Sequence, residues 1–254
     1  MKLSINKCLS YNLFKISSIL LFSSLFATGC SSVITKKSPP ISHVHVGHTL
    51  TSWIATPGKK GLLTTAEQES QIVVNNASKA KISTSLAQKK KYMSNALHAV
   101  DPKIQSTGSG KGYGLVRAVT ESIAHLQYAA TSDDASVNLR KTVPTIVNKA
   151  RQIASSSNQL KVFGQAAVNA SSINEFTALN NEFLKTAKQI NGDGSSSTYN
   201  LKQFKKEILA MVSKEKPAYT TVDSYYLLNL IRLPNGKWAF SSKPKDDDST
   251  DGGY

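Results

Sequence analysis

Apolar residues recur at helical spacing along most of the chain from residue 64 onward. Thr64 and Glu67 form a capping-box pair, which predicts that a helix begins there. Apolar positions then continue at intervals of three and four residues to about Val100, where Asp101-Pro102 ends the pattern. The pattern therefore predicts one long helix over this stretch.

Further helical stretches follow after a glycine-rich connection. A second helix is predicted over 115–130. Pro144 suits the first turn of a helix, so it predicts the start of the third helix and a loop before it. Ser172 and Glu175 form another capping-box pair, which opens a fourth helix. A shorter helix is predicted over 201–212.

Near the C-terminus the period changes from helical to alternating. Runs of aromatic and β-branched residues flank Asn235-Gly236, a pair typical of a hairpin turn. A polar tail over 243–254 is predicted to be disordered. We therefore predict a mainly α fold, a four- to five-helix bundle over 64–213, with a small C-terminal β-hairpin over 219–242.

The N-terminus has the three parts of a secretory signal. Lys2, Lys7 and Lys15 occur without any acidic residue, an apolar run follows them, and small residues precede Cys30. The apolar run is too short to span a bilayer once its serines are discounted. We therefore predict that residues 1–29 are a signal peptide and not a membrane helix.

The junction Ala27-Thr28-Gly29-Cys30 resembles the lipobox of bacterial lipoproteins, although Ala27 stands where Leu is most common. The resemblance implies that Cys30 is diacylated on sulfur, cleaved from Gly29 and then acylated on its new amine. Two or three such chains, palmitate among them, give firm anchoring in membrane lipid. The alternative is an ordinary signal peptide in which the cysteine has no role.

The lipobox resemblance also bears on location and on the segment after the cysteine. Ser31, and not Asp, follows Cys30, as in lipoproteins sorted to the outer membrane of Gram-negative bacteria, which implies a cell-envelope location. Residues 30–42 are rich in Ser, Lys and Pro and are predicted to be a tether. Cys8 leaves with the signal, so no disulfide partner remains in the mature chain.

The chain is strongly basic, with a formal net charge of +15. Such a charge favours contact with anionic lipid headgroups or an anionic cell-wall polymer, and an envelope protein is a further class of partner. Nucleic acid is not expected as a partner, because an exported lipoprotein rarely meets it and no recognition motif occurs. The alternative is a basic, solvated surface without a specific partner.

His43, His45 and His48 lie within six residues, in a histidine-containing segment over 43–63 that precedes the predicted bundle. In an extended chain His43 and His45 point the same way, and a bend at Gly47 would bring His48 beside them. Imidazole is a common ligand, so the three are candidate ligands of a transition metal or a non-covalent haem. Covalent haem is excluded because Cys-x-x-Cys-His does not occur.

His98 and His125 are the other two histidines, and they are weaker candidates to complete such a site. Each lies on a predicted helix, where a single histidine more often packs in the core or faces solvent. For the three-histidine cluster the alternative is likewise a solvated segment, or rings that pack beside Trp53.

Two glycine-rich stretches match known ion sites only in part. Asn191 and Asp193 fit the first and third positions of an EF-hand calcium loop, but Lys202 stands where a bidentate Glu is required. The stretch over 108–114 lacks the Gly-Lys-Ser/Thr ending of a Walker phosphate loop. Neither Gly-x-Ser-x-Gly nor His-Glu-x-x-His occurs, so no enzymatic activity is predicted.

The residues over 47–63 and 113–115 are also similar to a group of uncharacterised proteobacterial helical proteins, and that resemblance implies no activity. Two functional hypotheses follow from the sequence. The first is a non-enzymatic, lipid-anchored binding module of the cell envelope. The alternative is a metal- or haem-binding lipoprotein that uses its histidines as ligands.

Overall fold

The computed structural model describes residues 34–193, 198–227, 230–232 and 238–240. The predicted signal peptide with Cys30 and the predicted C-terminal tail lie outside these residues. The described residues divide into two compact units, one helical and one made of strands.

The helical unit, Pro40–Thr221, contains seven α-helices among its described residues. A 3-10 turn at Pro57–Lys59 lies between the first two helices. The helices are α1 (Ile41–Leu50), α2 (Leu62–Ile82), α3 (Leu86–Val100), α4 (Leu115–Thr131), α5 (Val137–Asn169), α6 (Ile173–Asn191) and α7 (Leu201–Val212). Among them, none combines the length and the apolar character needed to cross a membrane.

The core of the helical unit lies between α2, α3, α5 and α6, with α4 and α7 packed against it. Phe176 and Phe183 on α6, Leu160 on α5 and Met93 on α3 are fully enclosed. Burying one such side chain contributes about 1.5–3 kcal/mol. The predicted mainly α bundle is confirmed, and it has more helices than the four or five predicted.

One reason for the larger number is that the predicted long helix is two helices. It breaks after α2, and the side chain of Ser85 caps the start of α3. The carbonyls of Ala80 and Lys81 at the end of α2 accept hydrogen bonds from the buried ammonium of Lys89, at 3.1 Å each. The break is therefore stabilised by capping groups that satisfy both helix ends.

The start of α2 also differs from the prediction, because α2 begins at Leu62 and not at the Thr64 capping box. Gly61 precedes it and lies against the end of α1. A Cβ on Gly61 would come within 2.5 Å of the carbonyl carbon of Leu50. A close backbone contact, which only glycine allows, thus decides where α2 begins.

The predicted loop before Pro144 is wrong, because α5 begins seven residues earlier, at Val137. Ser136 caps this helix, and its hydroxyl accepts a hydrogen bond from the Leu139 amide at 3.0 Å. Pro144 therefore lies inside α5, where it removes one backbone hydrogen bond. Leu139 and Val143 are buried in the core, and this packing holds the preceding turn helical.

Three other helix predictions are confirmed. The second predicted helix corresponds to α4, and the predicted short helix corresponds to α7. Ser172 caps α6 by accepting a hydrogen bond from the Glu175 amide at 3.2 Å. The Glu175 carboxylate in turn accepts from the amide of Ser171.

The strand unit contains four short strands among its described residues, and their backbones form one antiparallel sheet in the order β1-β2-β3-β4. They are β1 (Ile34–Lys37), β2 (Ser224–Leu227), β3 (Leu230–Arg232) and β4 (Trp238–Phe240). The predicted tether over 30–42 contains β1 and ends where α1 begins. The predicted hairpin turn falls on 233–237, outside the described residues, so the C-terminal hairpin stays a prediction.

Candidate metal centre

The three clustered histidines lie on a helix, so the extended geometry expected for them is wrong. All three belong to α1. Successive helical residues are rotated by about 100°, so His45 and His48 share one face while His43 points elsewhere. Gly47 is helical and not bent, and a Cβ there would come within 2.6 Å of the Thr221 methyl carbon.

The helix α1 lies against α4. Its N-terminal end is held by Asp134, in the loop between α4 and α5. The Asp134 carboxylate accepts hydrogen bonds from the amides of Ile41 and Ser42, at 2.5 and 3.0 Å. These amides have no partner within the helix, so Asp134 caps α1 from a distant part of the chain.

On the contact between α1 and α4, His45 and His48 meet His125 of α4. The Nδ1 atom of His125 lies 3.1 Å from Nδ1 of His45 and 3.3 Å from Nδ1 of His48. One ring nitrogen from each of the three lies within 4.8 Å of the other two. In tetrahedral zinc with Zn–N bonds of 2.0–2.1 Å, the ligand nitrogens lie about 3.3–3.4 Å apart. The two separations from Nδ1 of His125, 3.1 and 3.3 Å, are thus close to those between the ligand nitrogens of a metal centre.

Hydrogen bonding alone does not satisfy these nitrogens well. A neutral imidazole nitrogen carries either one N–H or one lone pair. His125 Nδ1 has two imidazole nitrogens at hydrogen-bonding distance, and it can make one well-directed hydrogen bond to only one of them. A cation between the rings would accept a lone pair from all three.

The electrostatics of the cluster keep its imidazoles neutral. Burial lowers the pKa of His45, and burial together with the proximity of His45 lowers the pKa of His48. Burial and the two neighbouring imidazoles lower the pKa of His125 to about 4. Asp134 opposes the shift at His45, and Glu121 opposes it at His125. At neutral pH the three rings are therefore in the form that binds metals.

Two aromatic rings border the cluster. The ring centre of Trp53 lies 4.5 Å from that of His48 and 4.6 Å from that of His125. The ring of Tyr128 lies 5.5 Å from His45, and it is 55% exposed. These rings limit the access of water from two directions, while His45 and His48 themselves stay half-buried.

A carboxylate lies on the same face of α4, one turn before His125. This is Glu121, which accepts hydrogen bonds from the Tyr113 hydroxyl and, at 2.7 Å, from Nε of Arg117. Burial disfavours its charged form, but these hydrogen bonds outweigh burial and lower the pKa of Glu121. A fixed negative charge near His125 would partly neutralise a bound cation.

The structure brings together His45, His48 and His125, and it does not bring His43 or His98 to them. His43 is 2% exposed, and its Nε2 lies 3.2 Å from Oε2 of Glu215. His98 donates from Nδ1 to the carbonyl of Gln105 at 2.8 Å. Both residues have structural contacts, and the expected role of His43 as a ligand beside His45 is not supported by their positions.

The calcium-like loop after α6 is occupied by a lysine. The Lys202 ammonium lies 3.0 Å from Oδ1 of Asp193 and 3.4 Å from the carbonyl of Gly192. The carboxylate that would be the third-position calcium ligand is therefore paired with a protein cation. The remaining loop residues over 194–197 lie outside the described residues.

The glycine-rich stretch before α4 directs its amides at a protein carboxylate and not outward. The buried carboxylate of Glu69 on α2 accepts hydrogen bonds from the amides of Lys111, Tyr113 and Gly114, at 3.1 to 3.3 Å. Amides at a helix start often bind phosphate. Here they are already used to attach the connection to α2, in line with the missing Walker motif.

Several residues at the site were not expected from the sequence, namely Asp134, Tyr128 and Glu215. For Tyr128 a signal was present: Glu121, His125 and Tyr128 are spaced by four and three residues, so they share one face of α4. Asp134 and Glu215 form hydrogen bonds with residues of α1 that lie more than 90 positions away in the sequence, and no local pattern reveals such contacts.

No protein-family model, curated protein or solved structure matches this chain.

Proposed function

We propose that the protein binds a transition-metal ion through His45, His48 and His125. The observation that carries the proposal is the convergence of three neutral imidazole nitrogens from two helices. Imidazole suits Zn²⁺, Cu²⁺ and Ni²⁺, whereas Ca²⁺ and Mg²⁺ prefer oxygen ligands. The proposed ion is therefore a borderline transition-metal cation.

A single ion fits the cluster better than a haem. The ring centres of the three histidines lie 4.7 to 5.7 Å apart, so the rings contact one another. A haem would have to place its flat macrocycle beside the ligating imidazole. The contacts between the rings leave room for a small cation only, and we therefore favour the metal over non-covalent haem.

Three protein ligands leave one position of a tetrahedral ion for water or an exchangeable ligand. His45 and His48 are half-buried, so an ion held between the three imidazoles would lie near the surface of the helical unit. Such a centre is suited to reversible binding and exchange of the ion. We therefore propose a metal-binding module.

The N-terminal sequence supports a location for this module. The lipobox-like junction at Cys30 supports acylation and attachment to the membrane of the bacterial cell envelope, and Ser31 favours the outer membrane. Ten residues separate Cys30 from the start of α1, and an extended chain of that length spans at most about 36 Å. The net charge of +15 would favour the anionic surface there, whether lipid or cell-wall polymer.

Calorimetric titration of Zn²⁺ and Cu²⁺ into the untagged protein tests the metal site. We expect one ion per chain for the wild type, and no binding at that site for the H45A/H48A/H125A variant. The H98A variant is the matched control, because it loses an imidazole outside the cluster and should bind like wild type. Equal affinity in the wild type and the triple variant would refute the proposal.

The fluorescence of Trp53 gives an independent measurement of the same site. The chain has two tryptophans, so the Trp238→Phe variant leaves Trp53 as the only indole. Cu²⁺ at the cluster would lie next to the Trp53 ring and should quench its emission stoichiometrically. Quenching that persists in the triple histidine variant would show that the ion binds elsewhere.

Membrane attachment is tested separately by labelling cells with a palmitate analogue. The wild-type protein should take up the label and fractionate with membranes. The Cys30→Ala variant should do neither. Labelling and membrane fractionation that survive this substitution would show that the lipobox assignment is wrong.

A further inference from the structure

We propose that Glu215 is a positioning residue for the metal centre, acting through His43. The proposal rests on the proposed metal-binding function. At 100° per residue, His43 lies about 200° from His45 and about 140° from His48 around α1. Glu215 therefore contacts α1 on the side away from the ligand nitrogens, and it can affect the metal only by fixing where α1 lies.

Glu215 lies at the centre of a buried polar network. Its side chain has no exposed surface, and its Oε2 lies 3.2 Å from Nε2 of His43. Its Oε1 accepts hydrogen bonds from the Ser136 hydroxyl at 3.0 Å and from the side-chain Nδ2 of Asn138. Since Ser136 and Asn138 lie at the start of α5, Glu215 connects α1 to the bundle.

The ring of His43 is fixed by both of its nitrogens. The Thr220 amide donates to Nδ1 at 3.3 Å, so Nδ1 carries the lone pair and Nε2 carries the hydrogen. Nε2–H then donates to Glu215. The ring of Tyr219 packs against that of His43, with centres 5.2 Å apart. His43 is thus held in one tautomer and one orientation, which makes it a rigid attachment point for α1.

The helix α1 needs such attachment because its buried face offers little apolar surface. Five of its ten residues are buried, and only one of these has a branched apolar side chain: they are Ser42, His43, Val46, Gly47 and Thr49. Isolated helices of this length are marginal in water. Beside the buried Val46, directional polar contacts therefore set the position of α1 on α4.

The metal centre depends on that position, because α1 supplies two ligands and α4 supplies the third. The nitrogens of His45 and His48 lie 3.1 and 3.3 Å from that of His125, so a small shift of α1 separates them from ligand geometry. Groups hydrogen-bonded directly to metal ligands typically change affinity 10- to 100-fold when removed. Glu215 contacts no ligand and acts through the position of α1, so we expect its effect at the lower end of that range.

The Glu215→Ala variant tests the proposal by calorimetry with Zn²⁺ and by electron paramagnetic resonance with Cu²⁺. We expect its Zn²⁺ affinity to fall about 10-fold although no ligand has changed. Its Cu²⁺ spectrum should shift towards fewer nitrogen ligands. Glu215→Gln keeps an acceptor for the His43 Nε2–H, so it should recover most of the affinity and the wild-type spectrum.

Glu207→Ala is the matched control. Glu207 on α7 is also a carboxylate held by two side chains, the ammonium of Lys149 at 2.7 Å and the hydroxyl of Tyr199 at 2.9 Å. Its removal should change thermal stability but neither the Zn²⁺ affinity nor the Cu²⁺ spectrum. A loss of affinity that merely followed stability would appear in this variant too, and it would overturn the proposal.

Asn138→Ala provides a milder change, in case Glu215→Ala does not fold. It removes one donor to Glu215 and should lower the affinity several-fold. Wild-type affinity and spectrum in a folded Glu215→Ala or Asn138→Ala protein would overturn the positioning role and leave the metal site standing. If the wild type itself binds no metal, the proposed function fails, and the positioning role fails with it.

Discussion

Two regions of the helical unit are built from different kinds of side chain. One is the core between α2, α3, α5 and α6, and the other is the contact between α1 and α4. The core is filled by large apolar groups such as Phe176, Phe183 and Leu160, all fully buried. Besides the buried Val46, α1 is held on the bundle by histidines that meet α4 and by two distant carboxylates, Asp134 before α5 and Glu215 on the opposite side of α1. The first region is held by packed volume, and the second by directed polar contacts.

This difference separates stability from function within one bundle. Packed apolar volume gives a large contribution to stability that involves no titrating group. Directed contacts among titratable groups depend on pH and on bound cations. The chain therefore has a rigid body that supports a small region whose stability can respond to its surroundings, and the following predictions test this contrast.

The largest effect is expected in the core. Phe183→Ala should lower the free energy of unfolding by about 3–5 kcal/mol, because it removes a fully buried aromatic ring and leaves a cavity. Urea denaturation measures the change. Val162→Ala, at a 65% exposed position on the neighbouring α5, is the control and should change the free energy by less than about 0.5 kcal/mol. Equal effects of the two substitutions would show that the core is not packed as described.

The next largest effect on the free energy of unfolding is expected from binding of the metal ion. Zn²⁺ at 100 times its dissociation constant should raise the free energy of unfolding by about 2.7 kcal/mol, because the ion binds only the folded chain. The increase should disappear in the His48→Ala variant and persist in His98→Ala. Thermal denaturation with and without Zn²⁺ measures it. Stabilisation that His48→Ala leaves intact would place the ion outside the cluster.

The metal-free protein should lose stability in mild acid. The pKa of His125 is about 4 in the folded protein, whereas the ordinary value, which applies to the unfolded chain, is 6.5. Between pH 4 and pH 6.5 the unfolded chain therefore binds more protons than the folded protein does. The free energy of unfolding should therefore fall as the pH falls from about 6.5 to about 4. Because the cluster is partly open to solvent, we expect a loss of about 1–2 kcal/mol.

Urea denaturation across this pH range measures the loss. His125→Asn removes the group that titrates and should flatten the profile between these two pH values. A profile that stays as steep without His125 would assign the loss to other groups.

The smallest effect is expected at the N-terminal end of α1. Asp134→Ala should cost about 1 kcal/mol, because two amides of α1 lose their acceptor. Hydrogen exchange should show the change concentrated in α1 and not in the core. Asp133→Ala is the control, because it removes a carboxylate charge at the neighbouring position. Asp133 contacts Arg140 through its main-chain carbonyl, which the substitution keeps. If both substitutions weaken α1 equally, charge and not capping is responsible.

The helices of the bundle were largely predictable, because their apolar faces repeat locally. The pattern correctly predicted α4 and α7, and the cap of α6 at Ser172. It failed at the start of α5, where a serine cap and core packing outweighed the signal of Pro144. It also failed at the break between α2 and α3. The carbonyl groups at the end of α2 accept hydrogen bonds from the buried Lys89, which lies on α3, and the local pattern of α2 does not show this contact.

The candidate site was only partly predictable. The sequence drew attention to His45, His48 and His125, but it grouped His43 with the first two. His43-Val44-His45-Val46 alternates polar and apolar residues, which is typical of a strand. The segment is helical nonetheless, because Asp134 caps its start and Glu215 holds His43.

The mainly helical character of the chain follows from its local apolar pattern, since a 3.6-residue period is a local property. The imidazoles and the lipobox-like junction at Cys30 can likewise be read from the residues alone. Which imidazoles meet follows from the packing of distant helices. His125 lies 77 residues from His48 along the chain, and it is brought within 3.3 Å by the docking of α1 on α4. That docking depends on polar contacts between distant residues, and no local repeat encodes them.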